Sequence, residues 1–490
     1  MSTAGEAPTA EHATGPRRPI VLGTIGSVLL LAGGMGAAAG ALEDPLMANG
    51  PLAWVRYGHG KMLATVVLLA GFAVLVWAWI RLGRLVIAGR AGTRPVLVAA
   101  ACWIAPMLLA PAMFTRDVYS YLAQGAIALG GYDPYVVGAN VLSSPELIEN
   151  VHPFWQDQPA PYGPLFILLA KGIAWLTGTH IVAGVLVTRL VELAGLGLLV
   201  WALPGLTRHL GGRLPVAAWM LIAGPLTVVH LVGGPHNDLL MIGFLAAGTL
   251  LVLDGRHAAG FAVVTLAVAV KASAVVALPF LVWVWAGHLS STRWRNFARA
   301  CAGAVAVFAA VFAAVTLLAG VNLGWVTMIN ASSRLVNWLS LPTAAGEILH
   351  GVIGLAIQVP VDWVITITRL IGVAVLLVIL VRQWWRARDG GPDAVRRAAI
   401  ALFAVALLSA TMLPWYLTWG LALAAGLSWK PRQLAVFAGI SAFMVAPYSA
   451  DGEQLLYAWP WIILAVAGSV LAAVSLVRPD PLHWSARPVT

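Results

Sequence analysis

Charge is what this sequence has least of. Only 10% of its 490 residues are Asp, Glu, Lys or Arg, while 60% are hydrophobic. That composition excludes both a water-soluble globule and a disordered chain. Cysteine is nearly absent as well. The two present, Cys102 and Cys301, lie in apolar runs, which leaves no disulfide framework and no zinc motif. No G-x-x-x-x-G-K-[ST] loop occurs, so no P-loop ATP engine is visible, and no G-x-G-x-x-G follows a strand.

What the chain has is one apolar segment after another. A spanning helix needs about 20 mostly apolar residues, and the pattern predicts an all-α polytopic membrane protein. Fourteen spans are expected near 20–42, 61–80, 95–113, 186–206, 214–231, 238–253, 258–270, 273–288, 299–320, 361–381, 396–414, 418–428, 433–447 and 457–477. The first apolar segment is too long for a signal-peptide core and no clear cleavage site follows, so it reads as a helix. Residues 1–18 and 479–490 read as cytoplasmic tails, the first of them disordered. A single transmembrane domain is expected over 19–478.

The cations orient the chain. With the N-terminus inside, 29 Lys and Arg less eight (Arg56, Lys61, Arg116, Lys171, Arg189, Lys271, Arg334 and Arg369) gives 21 on the cytoplasmic side. The reverse orientation violates the positive-inside rule. Most acids then fall on the outer side, among them Asp117, Asp133, Glu146, Glu149, Asp157, Asp238, Asp451 and Glu453. The net charge of +10 therefore reads as a topology signal and not as a nucleic-acid footprint. The outer loop 114–185 contains two helical stretches, an amphipathic one over 118–129 suited to the interface and an apolar one over 165–177 read as juxtamembrane. Arg369, within a span, is expected to pair with a helix such as the one bearing Glu192.

Polar residues on the outer side gather into short stretches, each with a bland and a chemical reading. Asp117, in Arg116-Asp117-Val118-Tyr119-Ser120-Tyr121, is either a helix cap or a general base taking a proton from an attacking hydroxyl. In the second reading Tyr119 and Tyr121 supply faces and hydroxyls for a sugar. Gly233-Gly234-Pro235-His236-Asn237-Asp238 is either a capped turn or a ligand-contacting one, with one His beside one Asp too little to argue for a metal. Lys271 either snorkels to the headgroups or meets a phosphate. Arg334, in a second outer loop, is either solvated or a phosphate ligand. Trp415 and Tyr416 are either an interfacial aromatic belt or the wall of a sugar site. An outward-facing reaction has no nucleotide pool, so an activated donor must arrive in the membrane on a lipid. A secondary transporter is the competing class; it would place charges at the midplane among internal repeats, whereas here they gather at one face and no repeat is evident.

Arg116-Asp117-Val118-Tyr119-Ser120-Tyr121, Tyr132-Asp133-Pro134-Tyr135, Tyr162-Gly163-Pro164-Leu165, His236-Asn237-Asp238, Lys271-Ala272-Ser273 and Pro414-Trp415-Tyr416 occur in an order that resembles the actinobacterial polyprenol-phosphate-mannose-dependent alpha-1,6-mannosyltransferases, over roughly residues 60–470. The resemblance implies a GT-C membrane glycosyltransferase fold and a beta-linked mannosyl phosphopolyprenol donor. It also implies an outer-face site in the plasma membrane and transfer with inversion to a lipid-anchored alpha-1,6-mannan. By the same resemblance Asp117 takes the base position, and His236, Asn237 and Asp238 shape the sugar site with Arg116, Tyr119, Tyr121, Trp415 and Tyr416. Lys271, Arg334 and His236 are the candidates for the donor phosphate, where a fixed cation would stabilise the leaving group. No cofactor or metal is implied, and only the resemblance selects mannose over arabinofuranose or glucose.

Overall fold

The computed structural model describes residues 15–328 and 336–478. Long apolar stretches become long helices: α1 (Arg17–Ala37), α2 (Gly58–Ile87) and α3 (Thr93–Leu109) open the chain. The polar segment after them holds α4 (Asp117–Leu129), α5 (Pro145–Asn150), α6 (Pro153–Gln156) and α7 (Pro164–Thr177). The last three each begin on a proline, whose fixed φ and missing N–H suit a first helical position.

Next come α8 (Ile181–Leu210) and α9 (Leu214–Leu221), then a π-helix (Leu226–Gly233) bent 46° from α9. They are followed by α10 (Asp238–Leu253), α11 (His257–Val270), a 3-10 turn (Ala272–Ala277) and α12 (Leu278–Gly287). The remainder is α13 (Arg293–Ala319), α14 (Trp325–Met328), α15 (Leu341–Ile353), α16 (Val361–Arg386), α17 (Gly391–Leu408), α18 (Leu417–Ala424), α19 (Pro431–Met444) and α20 (Trp459–Val477). Among the described residues there is no strand, only isolated bridges between Gly211 and Leu427 and between Tyr448 and Gln454.

All fourteen apolar segments are helical, but not all have full spanning length. Among the described residues, six helices are by length and composition long and apolar enough to cross a membrane, seven if the bent α9–π pair is one span. Others, such as α3, α10 and α11, have 10–17 residues. At 1.5 Å per residue a 14-residue helix covers only about 21 Å. Two of these shorter helices still run from one end of the bundle to the other, α10 from Asp238 to the loop holding Asp254 and α11 from there back to Lys271.

The loops sort to two ends of the bundle. At one end Arg213 donates to the carbonyls of Val86 and Ile87, Gly212 pairs with Gly426, and Asp254 meets Arg208 and His209. Arg84, Arg90, Arg256, Arg293, Arg388 and Lys430 also lie in or beside these loops. At the other end, Met113 pairs with Gly233, Phe114 with Ala450, Gly163 with Val270, and Asn150 reaches Glu43. Here the acids collect. Between the ends, Trp79 and Trp219 stack at 4.7 Å and each donates its indole N–H to the other's carbonyl.

Close helix approach aligns the site end. A Cβ on Gly195 of α8 would strike the Leu239 backbone, and one on Gly243 of α10 would strike Gly195. Small residues thus let two backbones touch where hydrophobic burial offers little drive between helices in lipid. Arg369 does not pair with Glu192 as expected. Its guanidinium donates to the Thr343 hydroxyl and the Ala410 carbonyl, which lie on the elements that α16 actually packs beside.

Candidate active site

α3 ends at Leu109, and the chain turns sharply through residues 110–116 before α4. Phe114 takes φ 63° there, the left-handed region, alone among the described non-glycine residues. A bulky residue in that conformation stores about 1–3 kcal/mol and persists only where its surroundings fix it. Its N–H is fixed by the Ala450 carbonyl at 2.8 Å. The Thr115 hydroxyl then accepts from the Asp117 N–H at 3.0 Å, so Thr115, not the Asp117 carboxylate, satisfies the start of α4.

The freed Asp117 carboxylate faces the turn after the π-helix. Oδ2 lies 3.5 Å from Nδ1 of His236, with the imidazole wholly buried and the carboxylate 26% exposed. Burial opposes the charged form of Asp117, but His236, Thr115 and Lys271 outweigh it and hold the carboxyl below its ordinary value. Asp117 is ionised at neutral pH, open to a cleft and backed by an imidazole. His236 is clamped from behind by Trp415, stacked at 3.5 Å between ring centres. Its ring nitrogens have no hydrogen-bond partner among the described residues. π-helical backbone concentrates at functional sites, and here it delivers this turn.

Asp238 opens α10 and is fully buried. It accepts from Lys271 Nζ at 2.7 Å and from Trp419 Nε1 at 2.6 Å. The Lys271 ammonium also sits 5.0 Å from the Tyr416 ring, 5.6 Å from Trp419 and 5.9 Å from Tyr162, within cation–π range. Tyr416 and Trp419 stack at 4.1 Å. Tyr121 and Tyr162 meet edge-on at 5.3 Å, completing an aromatic wall around two carboxylates and one ammonium.

Of the expected site residues, Asp117, Tyr121, His236, Asp238, Lys271, Trp415 and Tyr416 come together. Asn237 is fully buried in the same turn, and its amide has no partner among the described residues. Arg116 is half-buried and meets no carboxylate among the described residues. Tyr119 points elsewhere, giving its hydroxyl to the Ala39 carbonyl, because two residues on a helix place it on a different face from Tyr121. Arg334 lies outside the described residues. Tyr162 stands in one of the motifs with no role assigned to it, and Trp419, Thr115 and Arg189 are not among the expected site residues. Trp419 had a signal, since it falls one helical turn after Trp415.

An apolar cavity of about 370 Å³ opens between α2, α19 and α20. Ile80 and Ser475 line one end, Phe114 and Tyr448 the other. The groove therefore ends beside the turn that carries Asp117.

The chain matches the family described as "Alpha-(1->6)-mannopyranosyltransferase, N-terminal domain" over residues 20–287 and "MptB C-terminal domain" over 342–478. The chain belongs to the alpha-(1->6)-mannopyranosyltransferase family. Alpha-(1->6)-mannopyranosyltransferase A of Mycobacterium tuberculosis is 42% identical, covering 96% of this chain and 92% of that one. The Corynebacterium glutamicum protein of the same name is 32% identical over 91% of this chain and 96% of its own. Among solved structures, the apo Archaeoglobus fulgidus oligosaccharyltransferase superposes with a TM-score of 0.38 at 15% identity, over 78% of this chain and 56% of that one. Every site contact described above falls within the family-matched residues.

Proposed function

We propose that the protein transfers mannose from a beta-linked mannosyl phosphopolyprenol to a hydroxyl of an alpha-1,6-mannan acceptor, with inversion, at the outer face of the plasma membrane. The observation that carries this reading is the ionised Asp117 facing His236 in an aromatic-walled cleft. The acceptor hydroxyl gives its proton to Asp117 and its oxygen bonds to the anomeric carbon. The bond from that carbon to the phosphate oxygen breaks on the opposite face, and polyprenyl phosphate leaves with the electron pair. Tyr416, Trp419 and Tyr162 wall the sugar. Lys271 uses one of its three donors on Asp238, which leaves donors for the phosphate, with His236 and Arg334 assigned the same role from sequence. The cation-rich opposite end supports a cytoplasmic placement for that face.

The polyprenyl tail lies in the groove between α2, α19 and α20, whose site end at Phe114 and Tyr448 adjoins Asp117. Gly468 lines this groove, and a Cβ there would meet nothing within 4 Å. Gly468→Phe should therefore fill the groove without disturbing the helices. The expected result is a KM raised about tenfold for a long-chain donor, a loss of about 1.4 kcal/mol. A donor too short to reach Gly468 should show no change, and equal effects on both would place the tail elsewhere.

The pH profile offers a second check. The base must be deprotonated, and its pKa is lowered, so activity is lost only as pH falls through that lowered value. The acid limb of kcat/KM belongs below the ordinary Asp value of about 3.9. A limb near 6 would assign the base to another group.

The defining experiment incubates purified protein with mannosyl phosphopolyprenol and a short alpha-1,6-mannoside, and reads the anomeric configuration of the product. Alpha-linked mannose supports the reading. Transfer only from an arabinofuranosyl or glucosyl donor replaces the sugar, and lipid movement without transfer replaces the enzyme with a transporter.

A further inference from the structure

Two buried ionisable side chains of α8 touch neither the cleft nor each other. Arg189 is 2% exposed and Glu192 1%. Arg189 meets no carboxylate among the described residues. Its guanidinium donates to four backbone carbonyls: Leu108 at 3.1 Å, Pro111 at 3.2 Å, Val232 at 3.1 Å and Gly233 at 2.9 Å. The first two belong to the end of α3 and the turn after it, the others to the end of the π-helix. Helix ends leave such carbonyls unpaired and carry partial negative charge. A planar fork with five N–H donors is the side chain that can bind two of these ends at once.

Glu192, one turn further along, does the complementary thing. Its Oε2 accepts from the Leu240 N–H at 3.2 Å, in the first turn of α10, where backbone N–H groups are unpaired. The Gly195–Gly243 approach described above brings α8 near enough for this reach. The turn between these two grips is Gly233 to Leu240, and it carries His236, Asn237 and Asp238.

We propose that Arg189 and Glu192 are positioning residues for the transfer step. From one helix they clamp the His236 turn on both its sides, and through Leu108 and Pro111 Arg189 also sets the segment that carries Asp117 against His236. Neither touches substrate; they set the Asp117–His236 distance. The inference rests on the functional reading above only for its activity readout.

The test compares wild type with Arg189→Lys, Glu192→Gln and Glu192→Leu, reading mannosyl transfer, amide hydrogen exchange over 110–117 and 233–241, and thermal melting. A lysine ammonium has three donors and no fork, so it cannot hold both segments. A misplacement of about 1 Å is worth on the order of 100-fold in rate, and Arg189→Lys is expected to lose that much kcat with donor KM little changed. Both segments should exchange faster while the bulk of the fold melts as before. As Asp117 drifts from His236 it loses the neighbour that lowers its pKa, so the acid limb moves to higher pH, which simple destabilisation would not do. Glu192→Gln keeps an oxygen for Leu240 and should remain near wild type, whereas Glu192→Leu should not. Wild-type kcat and exchange in Arg189→Lys would overturn the clamp, as would lost activity with unchanged exchange and pH profile. Glutamine as damaging as leucine would overturn the Glu192 half. A wild type without transfer would be a failure of the functional reading, and exchange in the two segments would then decide the clamp.

Discussion

Asp117→Asn is expected to lower mannosyl transfer by about 10²–10⁴-fold, the range that a positioned base contributes, while donor binding holds and α4 stays folded. Asparagine keeps the size of the side chain and an oxygen toward the cleft but cannot take a proton. The Thr115 hydroxyl rather than the Asp117 carboxylate takes the N–H at the start of α4, so losing the charge should not fray the helix. That separation makes the substitution informative. A cap would have tied activity loss to a fraying helix; here the two are independent. Rates from purified mannosyl phosphopolyprenol at matched expression decide it, and equal rates in wild type and mutant would remove Asp117 from the mechanism.

The second large effect concerns Lys271 and Asp238, and it is first an effect on stability. Asp238 is fully buried, with the Lys271 ammonium at 2.7 Å and the Trp419 indole at 2.6 Å. Lys271→Met leaves that carboxylate with the indole alone. Removing one partner of a buried pair costs about 3–5 kcal/mol, because the remaining charge stays out of water uncompensated. Asp238→Asn should cost less, since Lys271 is 15% exposed and can turn toward the cleft. The double variant Lys271→Met with Asp238→Asn should regain most of the melting temperature, because no charge is then stranded. Its transfer rate should stay low if Lys271 is the cation proposed above for the donor phosphate. A double variant as unstable as Lys271→Met would show that the pair is not what holds this corner together.

Much of this was legible in the sequence, for identifiable reasons. Hydropathy located all fourteen long apolar segments because burial in lipid demands them, though not α15 (Leu341–Ile353), and many of the cations gather at one end of the bundle. Asp117, His236, Asp238, Lys271, Trp415 and Tyr416 stood out because polar or aromatic groups at helix ends are rare in so apolar a chain. Other things left no mark. Arg189 pairs with carbonyls, which every residue possesses, so nothing in the letters announces its partners. Tyr119 shares a motif with Asp117, yet its hydroxyl belongs to Ala39; a motif is linear, but a helix face is not. Glu192 was expected beside Arg369 because opposite charges invite pairing, whereas a helix N-terminus attracts a carboxyl equally well. The bounds of α10 and α11, by contrast, were legible, within a residue of the expected 238–253 and 258–270.

The contacts around Asp238 also set a schedule for biosynthesis. Lys271 follows Asp238 by 33 residues and Trp419 follows it by 181. At roughly 5–20 residues per second of synthesis, the ammonium is made within about two to seven seconds of the carboxylate. The indole takes on the order of ten to forty. The buried charge thus has its counterion early, while the nascent chain is still entering the membrane. The Tyr416–Trp419 half of the aromatic wall arrives only when the C-terminal helices do. A ribosome stalled between the two would leave a chain that is electrostatically settled and catalytically inert.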